Sequence, residues 1–206
     1  MKSLAIALCL LASPTLAQIT PAQVLESWQQ FSSRNEAGFS FARQEGAAEE
    51  ITLYNVTLSG GVPAALPWLK LVAVEGGAVD ISTANSLEWE SPIFAPYQAF
   101  TTRGTVQLQG LSIQASGTPD EVQYAFALDS LSSIITDDYR ASIDHTTLTM
   151  RGLSGTLIHR WVADLGDAFE AKLIVGLWEA NTDSTIRGEN AGQQHDSITN
   201  VSMAFK

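Results

Sequence analysis

Leu53-Tyr54-Asn55-Val56-Thr57 is one of five versions of a single phrase in this chain. The others are Leu108-Gln109-Gly110-Leu111-Ser112, Leu128-Asp129-Ser130-Leu131-Ser132, Met150-Arg151-Gly152-Leu153-Ser154 and Ile198-Thr199-Asn200-Val201-Ser202. Each holds an apolar residue, a two-residue spacer, a second apolar residue, and then serine or threonine. The residues ahead of each phrase, such as Ile51, Val106, Phe126 and Leu148, mostly continue a period-two alternation, the mark of a strand with one buried face. Successive copies start 55, 20, 22 and 48 residues apart, one or two hairpin lengths, which predicts strands of an antiparallel meander.

The spacer carries the physical content. Strict alternation would turn every apolar residue beyond it onto the opposite face of the sheet, so something must reset the phase. A β-bulge does this by inserting a residue, and glycine, asparagine or serine at the second spacer position tolerates the backbone angles a bulge requires. Repeated bulges bend a sheet. The expected fold is therefore mainly β: a curved, bulged antiparallel sheet with serines, threonines and glutamines on its solvent face. Its apolar face is either an open trough or the filled interior of a sandwich or barrel.

Helices are expected at two places. Thr20 can cap a helix that has Pro21 in its first turn and Val24, Leu25, Trp28 and Phe31 on one face, ending near Asn35. A later amphipathic helix is expected over Leu157 to Phe169, where Leu157, Ile158, Trp161, Val162, Leu165, Ala168 and Phe169 follow helical spacing and Thr156 can serve as N-cap. The apolar run Leu173 to Trp178 fits either an extension of that helix or a strand. Asn181 to Asp196 is polar and reads as an exposed loop before a last strand, Ile198 to Phe205.

At 206 residues, 45% hydrophobic and 16% charged, the chain has the composition of one globular domain with a real core. Lys2, the apolar run Leu4 to Ala12, the Ser13-Pro14 break and the small residues Thr15 and Ala17 read as a signal peptide over residues 1–17, cleaved after Ala17. Residues 18–206 then form a single mainly-β domain, periplasmic or secreted. The run is too short for the roughly 20 residues of a spanning helix, so no stable membrane insertion is expected. Leu8 ahead of Cys9, the only cysteine, argues against lipid anchoring, and the mature part has no thiol for disulfides or metal. Loss of Lys2 leaves ten basic against 22 acidic residues, a net charge of −12 that disfavours nucleic acid and anionic headgroups.

The opening Ile19-Thr20-Pro21-Ala22-Gln23-Val24 with Trp28, the phase-shifted strands, and Ala115-Ser116-Gly117-Thr118-Pro119-Asp120-Glu121 followed by alternating Val122, Tyr124, Phe126 and Leu128 together resemble a secreted bacterial family. This is the uncharacterised domain of unknown function 2125. The resemblance implies no catalytic residue. The rhythm of apolar strand and polar spacer is also similar to that of the AsmA-like envelope proteins, and this likeness implies a role in moving lipids between bacterial membranes.

Candidate chemistry is sparse. Gly152-Leu153-Ser154-Gly155-Thr156, between an expected strand and an expected helix, has the setting of a nucleophile elbow, with Asp183 and His195 following in hydrolase order. The elbow needs glycine two places after the serine, where Thr156 stands, and Thr57, Ser112, Ser132 and Ser202 hold the same repeat position as Ser154. His145, His159 and His195 lie 14 and 36 residues apart, without close metal-site spacing, and are expected on the surface. Asp144 and the pair Asp137-Asp138 lack the regular ligand spacing of a calcium loop. Asn55-Val56-Thr57 and Asn200-Val201-Ser202 match the N-glycosylation pattern, but their shared repeat position favours a shared backbone role. Trp68, Trp89, Trp161 and Trp178, with Phe94, Tyr97 and Phe100, suit either a core or a ligand trough. Ser91 to Phe100, with Pro92 and Pro96, is expected to be a lid over one end of the sheet and not a central strand.

No catalytic, metal or cofactor residue is therefore assigned. The expected function is non-enzymatic holding or transfer of a lipid or other apolar ligand at the cell envelope. The alternatives are a structural module that docks an envelope partner through an edge strand or the Leu157 helix, and a serine hydrolase using Ser154.

Overall fold

The protein, seen as a computed structural model, is described over residues 18–35, 38–59, 64–95, 98–138, 142–162, 166–186 and 189–205. The segment 1–17, and with it the expected signal peptide and Cys9, lies outside the described residues, as do Pro96, Tyr97 and Leu165. One helix, α1 (Pro21–Asn35), precedes β1 (Gly38–Ser40), β2 (Arg43–Ala47), β3 (Glu50–Ser59), β4 (Ala64–Val74), β5 (Ala78–Thr83) and β6 (Ser86–Ala95). Six more strands follow: β7 (Gln98–Gln109), β8 (Ser112–Thr118), β9 (Glu121–Asp138), β10 (Ser142–Val162), β11 (Gly166–Ile186) and β12 (Glu189–Phe205). All twelve strands belong to one sheet with antiparallel pairings throughout.

The α1 helix starts where its sequence predicts. Thr20 Oγ1 accepts from the Gln23 amide at 3.3 Å, and Gln23 Oε1 accepts from the Thr20 amide at 2.9 Å, so two end donors are satisfied reciprocally. Ile19 ahead of the cap is anchored by its amide to the Gly77 carbonyl at 3.1 Å. Val24 and Leu25 are buried against the sheet, together with Ile51, Leu53, Val56, Leu66, Leu69, Leu71, Val79, Ile81, Ala115, Val122 and Tyr124.

The pairing registers give the sheet a simpler description. β1 and β2 both lie along β3 in one continuous register, since Ser40 faces Thr57 and Arg43 faces Tyr54. Likewise β7 and β8 keep one register along β9, with Gln109 facing Ser130 and Ser112 facing Ala127. β5 and β6 both border β4. Counting each of these three pairs as one interrupted ribbon, the twelve strands form nine ribbons in an up-and-down meander.

The interruptions lie along one line across the sheet. The registers set Asn55 opposite Pro67, and then Gly110, Asp129, Gly152, Gly176 and Asn200 opposite one another in turn. Asn55 (φ 51°), Gly110 (67°), Gly152 (61°) and Asn200 (55°) are left-handed along this crease, a conformation that asparagine and glycine accept most readily. The fifth expected position, Ser130, is not among the left-handed residues. β9 crosses the crease between Gly110 and Gly152 without a left-handed residue of its own.

The apolar phase is reset as expected, but the device differs from an inserted residue. In β3 the buried positions are Ile51, Leu53 and Val56, and on β4 they are their partners Leu71, Leu69 and Leu66. Because facing ribbons change phase at the same row, the register runs through unchanged between β3 and β4 and from β9 to β12 across the crease. One-residue slips occur elsewhere. Between the pairs Leu69–Thr83 and Ala65–Glu88 the β5–β6 ribbon has one residue more than β4, and between Ile81–Ile113 and Ser86–Gln107 the β7–β8 ribbon has one more than β5–β6.

Four expectations are corrected. The helix over Leu157 to Phe169 is absent: Thr156 and Leu157 lie inside β10, and Phe169 belongs to β11, with Leu157 facing Ala171 and His159 facing Phe169. Leu157, Trp161 and Phe169 lie on the face that carries α1 and Ile158, Val162 and Ala168 on the other, so apolar residues from both faces of two paired strands together mimic a helical period. The stretch Leu173 to Trp178 is strand, paired on both sides by β10 and β12. Of the stretch Asn181 to Asp196, residues 181–186 and 189–196 are not a loop but the ends of β11 and β12, in which Asn181 faces His195 and Ser184 faces Gly192, and 187–188 lie outside the described residues. Ser91 to Phe100 is no lid either, since Ser91–Thr102, Pro92–Thr101 and Ile93–Phe100 pair within the sheet. Among the described residues β6 meets β4 through Trp89 and Glu88, and Pro92 lies outside that pairing, so its missing N–H breaks no bond seen there.

A Cβ on Gly152 would meet nothing closer than 3.8 Å, so substitution there tests the backbone alone. Gly152→Ala is expected to cost about 1–2 kcal/mol, whereas Asn200→Gly should stay within about 0.5 kcal/mol of wild type. Urea unfolding followed by tryptophan fluorescence measures both, and equal midpoints for the two variants would contradict a conformationally demanding crease.

Candidate functional site

The face that carries α1 is apolar on both sides of the crease, and α1 covers only part of it. Two rows flank the crease across β9 to β12. Leu128, Leu153, Val175 and Val201 face one another on one side, and Leu131, Met150, Trp178 and Ile198 do so on the other. Leu128 and Val175 are buried, whereas Ile198 is 53% exposed and Met203, in the next row, 38% exposed. The opposite face of the same ribbons presents Ser130, Ser132, Thr147, Thr149, Glu179 and Ser197, with the exposed Ile134 and Ile174 each paired with serine or threonine. This apolar lane beyond the helix is the candidate ligand surface.

Two aromatic rings bridge glycines on the helix-bearing face. A Cβ on Gly104 would fall 2.6 Å from Trp89 Nε1, and one on Gly155 would fall 2.7 Å from Phe126 Cζ. Each ring belongs to the residue paired with that glycine on the next strand. The aromatic side chain thus covers the surface that the glycine leaves bare.

Where α1 meets β10 and β11, polar and aromatic groups fix its position. Trp28 Nε1 donates to Tyr124 Oη at 2.9 Å, with the two rings stacked at 6.4 Å. Burial pushes the Tyr124 phenol above its ordinary pKa, against the opposing effect of hydrogen bonds with Trp28 and Ser27. Ser27 Oγ lies 3.4 Å from His159 Nδ1, and His159 Nε2 lies 2.7 Å from Asp167 Oδ1. The His159 ring stacks on Phe169 at 4.8 Å, and Phe31 packs edge-on against both. Arg34 at the helix end ion-pairs with Asp167 at 3.4 Å and lies 3.8 Å over the Trp161 ring. His159, expected on the surface, is instead enclosed between helix and sheet, with an 11% exposed side chain.

The order hydroxyl, imidazole, carboxylate is that of an acyl-transfer triad. Its surroundings do not suit that chemistry. Ser27 is 8% exposed, and it sits inside a helix, where backbone N–H groups are committed to carbonyls one turn back and cannot bind an oxyanion. The arrangement is a dock for α1. Sequence reasoning missed it because Ser27 and His159 are 132 positions apart and no local pattern joins them.

The other sketched chemistry is dispersed. Ser154 lies in mid-strand, opposite Ala127 and Ile174, with no strand-to-helix turn around it. His195 faces Asn181, seven residues along β11 from Ile174, or about 23 Å at 3.3 Å per residue. His195 Nδ1 contacts Asn181 Oδ1, and His145 Nδ1 lies 3.1 Å from Thr136 Oγ1. Asp183 faces His145, Asp144 faces Asp137, and Asp138 faces Ile143, all at one end of the β9–β11 ribbons. Among the described residues no three His, Cys, Asp or Glu side chains form a group fit to hold a metal ion, and no helix is long and apolar enough to cross a membrane. Asn55 and Asn200 occupy the two left-handed asparagine positions of the crease, which explains their repeated phrase in backbone terms.

Shallow hollows of about 500 and 580 Å³ open on the face opposite α1, the first over Glu88, Arg103 and Ile134 and the second over Tyr54, Trp68 and Lys70. A third of about 400 Å³ sits on the crease at Asn55 and Pro67. Their linings mix charge with apolar groups. Comparison of the chain with protein families, curated proteins and solved structures finds no match.

Removal of His159 should loosen α1 more than the sheet. His159→Ala is expected to cost about 1–3 kcal/mol, because it leaves the buried Asp167 and Ser27 short of a partner. Amide hydrogen exchange is the decisive measurement: protection over residues 21–35 falls while β3 and β4 hold theirs. Uniform loss of protection would contradict a local dock.

Proposed function

We propose that this is a non-enzymatic protein of the bacterial envelope that holds or passes an apolar ligand, of which an acyl chain is the simplest, along the lane beside α1. The observation that carries this reading is the extent of the apolar face. Four ribbons continue it past the helix in two aligned rows, with Ile198 and Met203 in contact with solvent, while the reverse of the same ribbons carries serine, threonine and glutamate with the exposed but separate apolar residues Ile134 and Ile174. A sheet that needed only a core would bury this row, since apolar area returned to water forfeits roughly 25 cal/mol per Å². The crease supports the reading further, because it keeps the apolar residues of long strands on one face where strict alternation would divide them. Localisation in the periplasm, likeness to the domain of unknown function 2125 and an envelope role belong to the same proposal.

The test is displacement of a fluorescent fatty acid, together with native mass spectrometry of protein purified from its own envelope. Met150→Asp and Val201→Asp, on the lane, are expected to weaken binding at least tenfold, about 1.4 kcal/mol. Thr149→Asp, on the opposite face, should leave binding unchanged. Failure of wild type to bind any fatty acid or to carry co-purified lipid would overturn the proposal.

A further inference from the structure

The outer edge of β12 differs from the opposite edge of the sheet. β1 and β2 are short, interrupted at the crease, and carry Arg43 and Glu45 in an ion pair with Gly46 in a left-handed conformation (φ 84°). Short length, charge and irregular backbone are the usual protections of a sheet edge. β12 lacks most of these. It runs for 17 residues, contains no lysine, arginine or proline, and pairs with β11 alone among the described residues. In a chain with a net charge of −11, its only formal charges are Glu189 and Asp196.

We infer that this edge pairs with the same edge of a second copy, giving a two-fold dimer joined strand to strand. The crease selects the register. Within the chain, the two spacer residues of one ribbon face the two of its neighbour in reverse order, as Ser130 faces Arg151 with Leu128 and Leu131 facing Leu153 and Met150. Two antiparallel copies of β12 meet this rule in one way, with Thr199 opposite Asn200 of the partner subunit. Ile198 then faces the partner's Val201, and Ser197 faces the partner's Ser202 on the other side of the sheet. Asp196 falls opposite the partner's Met203, so no like charges meet.

The same register carries the apolar rows across the dyad. The row Leu153, Val175, Val201 continues into Ile198 of the partner subunit, and the row Met150, Trp178, Ile198 continues into the partner's Val201. Exposed Ile198 thereby gains an apolar neighbour. Two-fold pairing also closes after two copies and does not propagate into a filament.

Sedimentation velocity of the protein at micromolar concentration is expected to show a dimer, weakened at least tenfold by Ile198→Lys. Ile198 is already half in solvent, so this change leaves the monomer fold intact, which circular dichroism checks. Register is read by disulfide trapping in a Cys9→Ser background. The double variant Ser197→Cys with Ser202→Cys forms a covalent dimer on mild oxidation, whereas Ser197→Cys with Ala204→Cys does not. A monomer at every concentration overturns the proposal, and so does a dimer that resists Ile198→Lys or traps in the other register. None of these measurements involves lipid, so a failure of the ligand proposal leaves this one standing.

Discussion

The structure depends on one requirement: every ribbon that changes the phase of its apolar residues must do so opposite the same change in its neighbours. Side chains in a strand alternate faces, so a ribbon that reset alone would turn its apolar half toward water while its partners kept theirs on the core. Here Ile51, Leu53 and Val56 reset against Leu71, Leu69 and Leu66, and Leu128 and Leu131 reset against Leu153 and Met150. In β3, β7–β8, β10 and β12 the turn of phase holds a left-handed residue, while β4, β9 and β11 turn without one; neither adds length on these ladders, which resume in register across the crease. Only asparagine and glycine occupy those positions, at 55, 110, 152 and 200.

The consequence is a wide sheet with continuous apolar rows on one face, and one helix is too narrow to cover them. The α1 helix seals the end built from β3, β4, β5, β8 and the start of β9, where the most completely buried side chains lie. Its attachment to β10 and β11 is of a different kind. There, Ser27, His159, Asp167 and Arg34 supply directional contacts among aromatic rings. Such contacts fix where a helix lies on a surface that apolar packing alone would leave free to slide, because hydrophobic burial is not directional. Past this dock the apolar rows run on, and they reach the edge of the sheet at Ile198, Val201 and Met203. The candidate ligand lane and the open edge thus share a physical origin.

Much of this was legible in the chain itself. The five phrases located the crease, the asparagines and glycines in them marked four of its left-handed residues, and Thr20 with Pro21 marked the start of α1. The misreadings have a common cause. Leu157 to Phe169 looked helical because apolar residues from both faces of β10 and β11 fall at helix-like spacings, and a window of this length cannot separate two strands from one helix. Asn181 to Asp196 looked like a loop because its strand ends carry polar residues on an exposed part of the sheet, where the ladder rather than burial holds them extended. His159 looked like a surface histidine because Asp167, eight residues on, read as another surface charge and nothing near it in sequence announces Ser27.

By itself, then, the order of residues determined the alternating strands, the place where their phase turns and the capped first helix, since each rests on neighbours within a few positions. Tertiary structure decided which strands pair, that their turning points align into one crease, where α1 lies, and how much of the apolar face stays uncovered. Those outcomes arise from contacts between residues tens to more than a hundred positions apart, and a local pattern holds no information about which distant surface it will meet.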